Sequence, residues 1–155
     1  MKIIVDANIV FSGILNTKGK IGDLLINSHK LIDFIAPDFL RTEIRKHYDK
    51  LVRLSKLNLE QVAEAEFQIC KDIRFISEEQ VSAINWGEAY ELVKDIDPKD
   101  IQYIAFSLHF NRKIWSGDKT LMLGLKKKGF ESWVKTDELY RFREERRLFK
   151  KRHKK

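Results

Sequence analysis

Acidic side chains occupy positions in this 155-residue chain that suggest a catalytic or metal-binding site. Four of them stand where a fold could bring them into one crevice, namely Asp6, Glu43, Asp100 and Asp118. Gathering carboxylates is costly, because two unit charges about 4 Å apart repel by roughly 4 kcal/mol at an effective dielectric constant near 20. A hard divalent cation offsets this repulsion, and an all-oxygen ligand set suits Mg²⁺ or Mn²⁺. Such a site could activate water against a phosphodiester.

The first of these carboxylates, Asp6, follows a short run near the start of the chain. Residues 2–5 are mostly apolar and β-branched, which predicts a buried strand that stops at Asp6. In an open parallel α/β sheet, ligands bind outside the carboxyl ends of the strands, and this places Asp6 for chemistry. The alternative is that Asp6 only caps the turn that follows.

Two further carboxylates stand at predicted element boundaries. Residues 113–115 are predicted to form a strand, so that Asp118 hangs from its carboxyl end. Asp97 precedes a proline and is predicted to cap a helix, which puts Asp100 in the first turn of that helix. The alternative makes Asp97 and Asp100 a cap and a first-turn acid favoured by the helix dipole, and Asp118 the cap of the next helix.

The fourth carboxylate, Glu43, lies in a segment with helical spacing of apolar residues. Residues 38–55 are predicted to form one helix, and Glu43 leaves it near the edge of the apolar face. The alternative is an ordinary charged face in which Glu43 pairs with Arg41 or His47.

Strands alternate with helices along the whole chain. The predicted strands cover residues 2–5, 31–36, 74–76, 113–115 and 132–134, and the predicted helices cover about 21–28, 38–55, 58–72, 77–93, 98–111, 119–128 and the chain from 137 onward. This order predicts a single α/β domain of three layers, α/β/α, with a central parallel sheet. Such a sheet has one edge at which strand-end carboxylates can meet.

Basic residues are concentrated at the end of the chain. The net charge is +7, and residues 141–155 hold nine Lys and Arg against two Glu, which accounts for all of it. We therefore predict a domain over residues 1–140 and a basic helix end or tail over 141–155. Such a tail suits binding of a polyanion through counterion release, whereas the alternative is a solvated terminus that only aids solubility.

The cysteine count and the hydropathy pattern point to the cytoplasm. The one cysteine, Cys70, has no partner for a disulfide, which fits a reducing compartment. The sequence shows neither a secretory signal pattern nor the roughly 18 consecutive apolar residues that a membrane span needs. We expect a cytoplasmic protein that does not enter a membrane.

The motifs that carry these acids resemble those of the PIN domain, a nuclease fold of about this length. The resemblance rests on Asp6-Ala7-Asn8-Ile9-Val10, the helical Glu43, the DPKD segment followed by IQYIAFSL, and the strand that precedes Ser116-Gly117-Asp118. It covers the chain up to about Tyr140 and is nearest to the toxins of toxin-antitoxin systems. The resemblance implies a parallel sheet flanked by helices, dependence on Mg²⁺ or Mn²⁺, and endonucleolytic cleavage of single-stranded RNA.

The resemblance also implies roles for individual residues and partners. Asp6, Glu43, Asp100 and Asp118 correspond to the catalytic acids. Of these, Asp6, Asp100 and Asp118 would bind the metal, and Glu43 would complete the site or position the attacking water. Asn8, Ser116 and Asp97 would support them. The basic residues expected to hold RNA are Lys126, Lys127, Lys128, Arg146, Arg147, Lys150 and Lys151. A small antitoxin and a second copy of the chain are the implied protein partners.

Other function classes fit the sequence less well. A haloacid-dehalogenase-type phosphatase needs a second acid two residues after its nucleophile, and Asn8 stands there. A receiver domain needs a phosphorylated Asp after a mid-chain strand, which is absent from the sequence. The histidines have no ligand spacing among themselves or with Cys70, which argues against zinc. A catalytically silent RNA-binding or scaffold domain of the same fold stays open as the alternative.

Overall fold

Five parallel strands form the central sheet of the computed structural model, which describes residues 1–154. Their order across the sheet is β3-β2-β1-β4-β5. The strands are β1 (Lys2–Val5), β2 (Asp33–Pro37), β3 (Ile73–Ile76), β4 (Lys113–Trp115) and β5 (Trp133–Val134). The predicted single α/β domain with a central parallel sheet is confirmed.

Helices cover both faces of this sheet. Their bounds are α1 (Ala7–Leu15), α2 (Lys20–Asn27), α3 (Phe39–Lys46), α4 (Tyr48–Ser55), α5 (Leu59–Cys70), α6 (Ala83–Val93), α7 (Ile101–Phe110), α8 (Lys119–Lys126) and α9 (Thr136–His153). Short 3₁₀ turns at Glu78–Gln80 and Pro98–Asp100 precede α6 and α7. The predicted helix over residues 77–93 is therefore wrong in its first part, because Val81 and Ser82 have extended backbone and α6 begins only at Ala83. Over residues 1–154, none of these helices is long and apolar enough to cross a membrane.

The sheet divides the interior into two hydrophobic cores. Ile3 and Val5 point into the core under α1, α2, α3, α4 and α5, whereas Ile4 points into the core under α6, α7 and α8. Phe34 and Ile35 alternate in the same way on β2. Successive residues of a strand face opposite sides, so a strand covered on both faces is apolar throughout. This explains why the short apolar runs could be predicted as buried strands.

The chain changes direction across the sheet at β1. From β1 it proceeds through β2 to β3 on one side, and it then returns to place β4 and β5 on the other side. Val5 is paired with Trp115, so the carboxyl ends of β1 and β4 lie side by side. Ligands of doubly wound folds bind at this kind of switch point, because the two connections leave in opposite directions and open a crevice there.

Residues 38–55 were predicted to form one helix, and this prediction is wrong in one respect. The structure has two helices here, α3 and α4, which meet at His47. The His47 N–H bonds to the Ile44 carbonyl at 3.2 Å, three residues back, and its own carbonyl accepts from Leu51. The His47 ring packs edge-on against Phe11, with 5.6 Å between ring centroids. The break therefore lies beside α1.

The C-terminal helix α9 runs across residue 140 without a break. Arg143 is only 1% exposed, and its guanidinium lies 2.6 Å from the Asp23 carboxylate and 3.2 Å from the Ser28 hydroxyl. Arg147 donates to the Asn27 carbonyl at 2.9 Å. The first turns of the basic segment are therefore packed against α2, and the helix continues to His153.

Candidate active site

A crevice of about 640 Å³ opens at the carboxyl ends of β1 and β4. It brings together the predicted acids Asp6, Glu43, Asp97, Asp100 and Asp118, and Asn8 also lines it. These residues come from separate places along the chain, and they meet at the switch point of the sheet. The structure thus places the predicted carboxylates in one crevice, while their roles stay predictions.

Asp6 lies at the base of the crevice and is 7% exposed. Its Oδ1 accepts a hydrogen bond from the Ile9 N–H at 3.0 Å, so it caps α1. The alternative interpretation of Asp6 as a cap is therefore correct as far as it goes. The capping hydrogen bond uses only one of the two carboxylate oxygens. A single Asp can cap a helix and still face the crevice.

Ser116 ties the two strand ends together. Its hydroxyl hydrogen-bonds to the Asp6 carboxylate, and its oxygen accepts from the Asp118 N–H at 3.1 Å. Asp118 in turn caps α8, since its Oδ1 accepts from the Leu121 N–H at 3.0 Å. Ser116 itself is 3% exposed, so this hydroxyl fixes both acids from the protein side of the crevice.

Asp97 and Asp100 enter the crevice from the 3₁₀ turn before α7. Asp97 accepts from the Lys99 N–H at 3.1 Å, as predicted for a cap. Asp100 lies at the start of α7, and its side chain makes no capping hydrogen bond. Its carboxyl group is therefore directed to the crevice and to its acidic neighbours.

The pKa values of Asp6 and Asp100 are both raised, by burial first and by neighbouring charges in addition. Burial raises the pKa of Asp6 to about 6, against the Ser116 and Ile9 hydrogen bonds that lower it, and Asp118 raises it further. Burial also raises the pKa of Asp100 to about 7, and the charges of Asp97, Asp118 and Asp6 act in the same direction. Carboxylates that share a partly dry crevice destabilise one another's ionised form.

Glu43 has basic neighbours on its own helix and at the break that follows. Its carboxylate lies 3.7 Å from the His47 Nε2 and 4.0 Å from the Lys46 Nζ. The predicted alternative of a Glu43–His47 pair is therefore observed, and it occurs in the lining of the crevice. Lys46 and Lys99 also line the crevice, and neither was predicted as a site residue from the sequence. Helical spacing from Glu43 could have indicated Lys46.

Two uncharged side chains of α7 add unpartnered polar atoms to this lining. The Tyr103 hydroxyl and the Gln102 amide oxygen are buried without a hydrogen-bond partner among residues 1–154. Burial and the charges of Asp6, Asp100 and Glu43 raise the pKa of the Tyr103 phenol far above its usual range. The hydroxyl therefore keeps its proton at working pH. Neither residue was predicted from the sequence, because an aromatic residue at helical spacing is typical of a core position.

The donor set suits a hard divalent ion, although it does not form a finished cage. Burial first, and neighbouring carboxylates as well, raise the pKa values of Asp6 and Asp100, and a bound cation would favour the ionised form of both groups. Within the described part of the chain, no group of three or more His, Cys, Asp and Glu side chains is arranged to hold an ion. Mg²⁺ is usually bound through one or two carboxylates and several waters, so a partial set fits it.

The basic residues predicted to contact RNA differ in whether their charged groups already have a partner within the protein. The Lys128 ammonium is held by Asp95 and by the Leu92 carbonyl, and Arg147 by Glu144 and the Asn27 carbonyl. Lys126 lies 3.9 Å from Glu131. The Arg146 guanidinium lies over the Phe142 ring, and Lys127, Lys150 and Lys151 are exposed. These residues lie outside the described lining of the crevice.

Comparison with solved structures identifies the same fold elsewhere. The crystal structure of VapBC2 from Rickettsia felis, which is bound to a promoter DNA fragment, contains a chain with a similar fold. The similarity covers 87% of this chain and 97% of that chain, with 13% sequence identity and a TM-score of 0.64. PAE2754 from Pyrobaculum aerophilum is similar over 92% of this chain and 89% of that chain, with 12% identity and a TM-score of 0.63. At these identities the likeness concerns the fold.

A comparison with protein families gives the assignment. No curated protein matches the sequence significantly. The PIN domain, in contrast, matches residues 4–143, which includes each of the crevice acids. Because this match spans most of the sequence and the fold agrees with it, the chain belongs to the PIN domain family.

Proposed function

We propose that this protein is a divalent-metal-dependent endoribonuclease that hydrolyses phosphodiester bonds of single-stranded RNA. The observation that carries the proposal is the meeting of Asp6, Asp100, Asp118 and Glu43 in one crevice at the switch point of a PIN-domain sheet. The raised pKa values of Asp6 and Asp100 support it, since they are typical of functional sites.

Asp6, Asp100 and Asp118 are the residues that would hold Mg²⁺ or Mn²⁺. The ion would neutralise the carboxylates and stabilise the negative charge that develops on the phosphodiester oxygens. Ser116 keeps the Asp6 and Asp118 carboxylates in place through its two hydrogen bonds. Asn8 and Asp97 are the further supporting residues, because both line the crevice beside these acids.

Glu43 would position the water that attacks the phosphate and accept its proton. The His47 imidazole, 3.7 Å away, can stabilise the ionised carboxylate when it is protonated. Lys46 and Lys99 in the crevice lining would contact the phosphate backbone close to the scissile bond. The exposed Lys127, Lys150 and Lys151 would hold the strand further away, with little preference for sequence. Lys126, Lys128, Arg146 and Arg147 would contribute less, because each already has a partner within the protein.

The same proposal includes a role as the toxin of a toxin-antitoxin pair in the cytoplasm. The likeness to VapBC2 supports it, together with the family assignment. A small antitoxin would cover the acidic crevice, and a basic side chain of the antitoxin could take the place of the metal. The chain would also form a homodimer. Expression of the wild-type chain should then arrest growth of a bacterial host, and Asp6→Asn should abolish the arrest.

Cleavage of labelled single-stranded RNA by the purified protein is the direct test. We compare Mn²⁺, Mg²⁺ and EDTA for the wild type, Asp6→Asn and Asp118→Asn. Asparagine keeps the capping oxygen of both positions, so these variants should fold. The control is Asp49→Asn, on an exposed face of α4 outside the crevice lining.

The proposal predicts metal-dependent cleavage by the wild type and by Asp49→Asn, and at least a hundredfold less by the two crevice variants. Contaminating ribonucleases would cut equally in all four preparations, so the variants are indispensable. Equal behaviour of all four proteins over several RNAs would exclude catalysis by these carboxylates. The protein would then be a catalytically silent RNA-binding or scaffold domain of the same fold.

A further inference from the structure

An exposed pair of aromatic rings lies in the last turns of α9. Phe149 and His153 stack with 4.0 Å between ring centroids and 25° between ring planes. The His153 Nδ1–H donates to the Phe149 carbonyl at 2.9 Å, which holds the imidazole in this position. Phe149 is 55% exposed although His153 covers one of its faces, so its other face is open to solvent. The pair is therefore a fixed aromatic surface that residues 1–154 leave largely uncovered.

This ring pair is surrounded by positive charge. Residues 146–154 contain six Lys and Arg and no acidic residue. Arg152 stands three residues after Phe149, on the same side of the helix. Lys150 and Lys151 are exposed on the same turns. Solubility accounts for the basic residues, but it does not account for a stacked aromatic pair held among them.

An unpaired nucleotide has the chemistry that fits such a surface. Its base has an apolar face that stacks on an aromatic ring, and its phosphates are attracted to the surrounding cations. Phenylalanine and histidine both serve as stacking partners for bases of single-stranded RNA. A base inside a duplex already stacks on its neighbours, so the ring pair would favour single strands.

Two other occupants of this surface fit less well. A helix that lies on a membrane needs an apolar stripe along one face. The positions three and four residues from Phe149 are instead all polar, namely Glu145, Arg146, Arg152 and His153. A second copy of the same helix end would bring like charges together. Charge complementarity therefore favours a nucleic acid.

We propose that Phe149 and His153 form a stacking platform for an unpaired base of single-stranded RNA, while Lys150, Lys151 and Arg152 hold the phosphates beside it. This inference rests on the proposed ribonuclease function and deepens it. The family match ends at residue 143, so the platform lies beyond the matched domain. Phosphate contacts alone carry no information about the bases. The platform gives the basic helix a means of selecting unpaired RNA.

The test compares Phe149→Leu with Leu148→Ala, both in the full chain carrying Asp6→Asn so that the RNA stays intact. Leu148 is the matched control, because it is the neighbouring residue and is also 55% exposed. Phe149→Leu keeps an apolar side chain and removes the ring. Fluorescence anisotropy gives the affinities for labelled oligoadenylate and for an abasic oligoribonucleotide of the same length and charge. Cosedimentation measures binding to phosphatidylserine vesicles.

The expected results separate stacking from charge. Phe149→Leu should weaken binding of oligoadenylate about fivefold or more, because stacking of a base on the ring is lost. Its affinity for the abasic oligomer should stay within about twofold of the Asp6→Asn parent, since the phosphate contacts are unchanged. Leu148→Ala should keep both affinities of the parent. Both variants should melt within about 2 °C of the parent, because the replaced side chains are exposed.

Several results would overturn the inference. One is an unchanged affinity of Phe149→Leu for oligoadenylate, or no RNA binding by the parent at all. Another is an equal loss with the abasic oligomer, which has no base to stack, or an equal loss in Leu148→Ala. Vesicle binding that Phe149→Leu lowers, with RNA binding unchanged, would make the helix end a membrane contact.

The binding experiment does not depend on cleavage, so the two proposals can fail separately. If the wild type does not cleave RNA but Phe149→Leu loses affinity for oligoadenylate alone, the proposed ribonuclease function fails and the platform stands. If the wild type cleaves RNA and Phe149→Leu binds oligoadenylate as the parent does, the platform fails and the ribonuclease stands.

Discussion

Among the crevice acids, Asp100 should have the largest effect on how the free energy of unfolding varies with pH. Its pKa is about 7 in the folded protein, against 3.8 as the ordinary value, because of burial first and of Asp97 next. Between about pH 4 and pH 7 the unfolded chain binds fewer protons at this position than the folded one, so the free energy of unfolding falls as the pH rises. Below pH 4 both states are protonated and the difference vanishes.

Asp100→Asn should therefore stabilise the protein in EDTA above pH 7 and have little effect near pH 4. Asparagine carries no charge at any of these pH values, so it escapes the penalty that the aspartate meets. The measurement is the melting temperature of both proteins over this pH range, with Asp49→Asn as the exposed control. A pH-independent difference between wild type and Asp100→Asn would show that the pKa of Asp100 is not raised in the folded protein.

Asp6 allows a test of metal binding that does not depend on activity. An ion that binds only the folded state stabilises it by about 2.7 kcal/mol at a hundred times its dissociation constant, or roughly 5 to 10 °C for a chain of this size. Asp6→Asn keeps the cap of α1 but loses a charge, so its gain in melting temperature with Mn²⁺ should be much smaller. A wild-type melting temperature that does not change over a wide Mn²⁺ titration would contradict a metal site here.

The site residues also show what the sequence could and could not predict about single side chains. Asp6 and Asp118 were predictable, because each is the first acid after a short apolar strand. The alternatives of cap and crevice acid did not exclude each other, since a carboxylate has two oxygens. Lys46 could have been indicated by its spacing of three residues from Glu43, whereas Lys99 was not predictable, because a surface lysine carries no signal of its own until the fold places it.

At the scale of elements, the strands were predictable, whereas helix α1 and the helix breaks at His47 and before α6 were not. A short apolar run that is too brief for a helix is typical of a strand buried on both faces, so each strand was located to within about two residues. The apolar spacing of Leu40, Ile44, Tyr48 and Leu51 continues through the break at His47. At the break the His47 ring packs against Phe11, a residue far earlier in the chain, and such a contact leaves no local pattern in the sequence.

The attachment of α9 to α2 depends on Arg143, and it gives a prediction about an element. A run of basic residues is typical of a solvated surface, yet this guanidinium is buried against Asp23, 120 positions away in the chain. Arg143→Ala should lower the free energy of unfolding by about 2 to 3 kcal/mol, because Asp23 and Ser28 lose their partner in a partly buried place. Urea unfolding followed by tryptophan fluorescence measures this loss.

The exposed Lys150 on the same helix is the control for that experiment, and its replacement by alanine should change the free energy of unfolding by less than about 0.5 kcal/mol. Equal stability of Arg143→Ala and the wild type would mean that the helix does not depend on this contact.

The charge of the whole molecule is divided between an acidic crevice and a basic C-terminal helix. The net charge of +7 belongs to residues 141–155, but Arg143 is committed to Asp23 and Arg147 to Glu144. Counting basic residues therefore overstates the charge that can reach a nucleic acid.

Salt dependence of RNA binding separates free from committed charges. For single strands, each phosphate neutralised contributes about 0.7 to the slope of log affinity against log salt. The double variant Lys150→Ala/Lys151→Ala should therefore reduce the slope by about 1.4, measured in the Asp6→Asn background so that the RNA stays intact. Lys128→Ala should change it much less, because Asp95 and two backbone carbonyls already hold that ammonium group. If the double variant leaves the slope unchanged, the basic helix does not contact RNA, and Lys46 and Lys99 in the crevice lining remain as the binding surface to test.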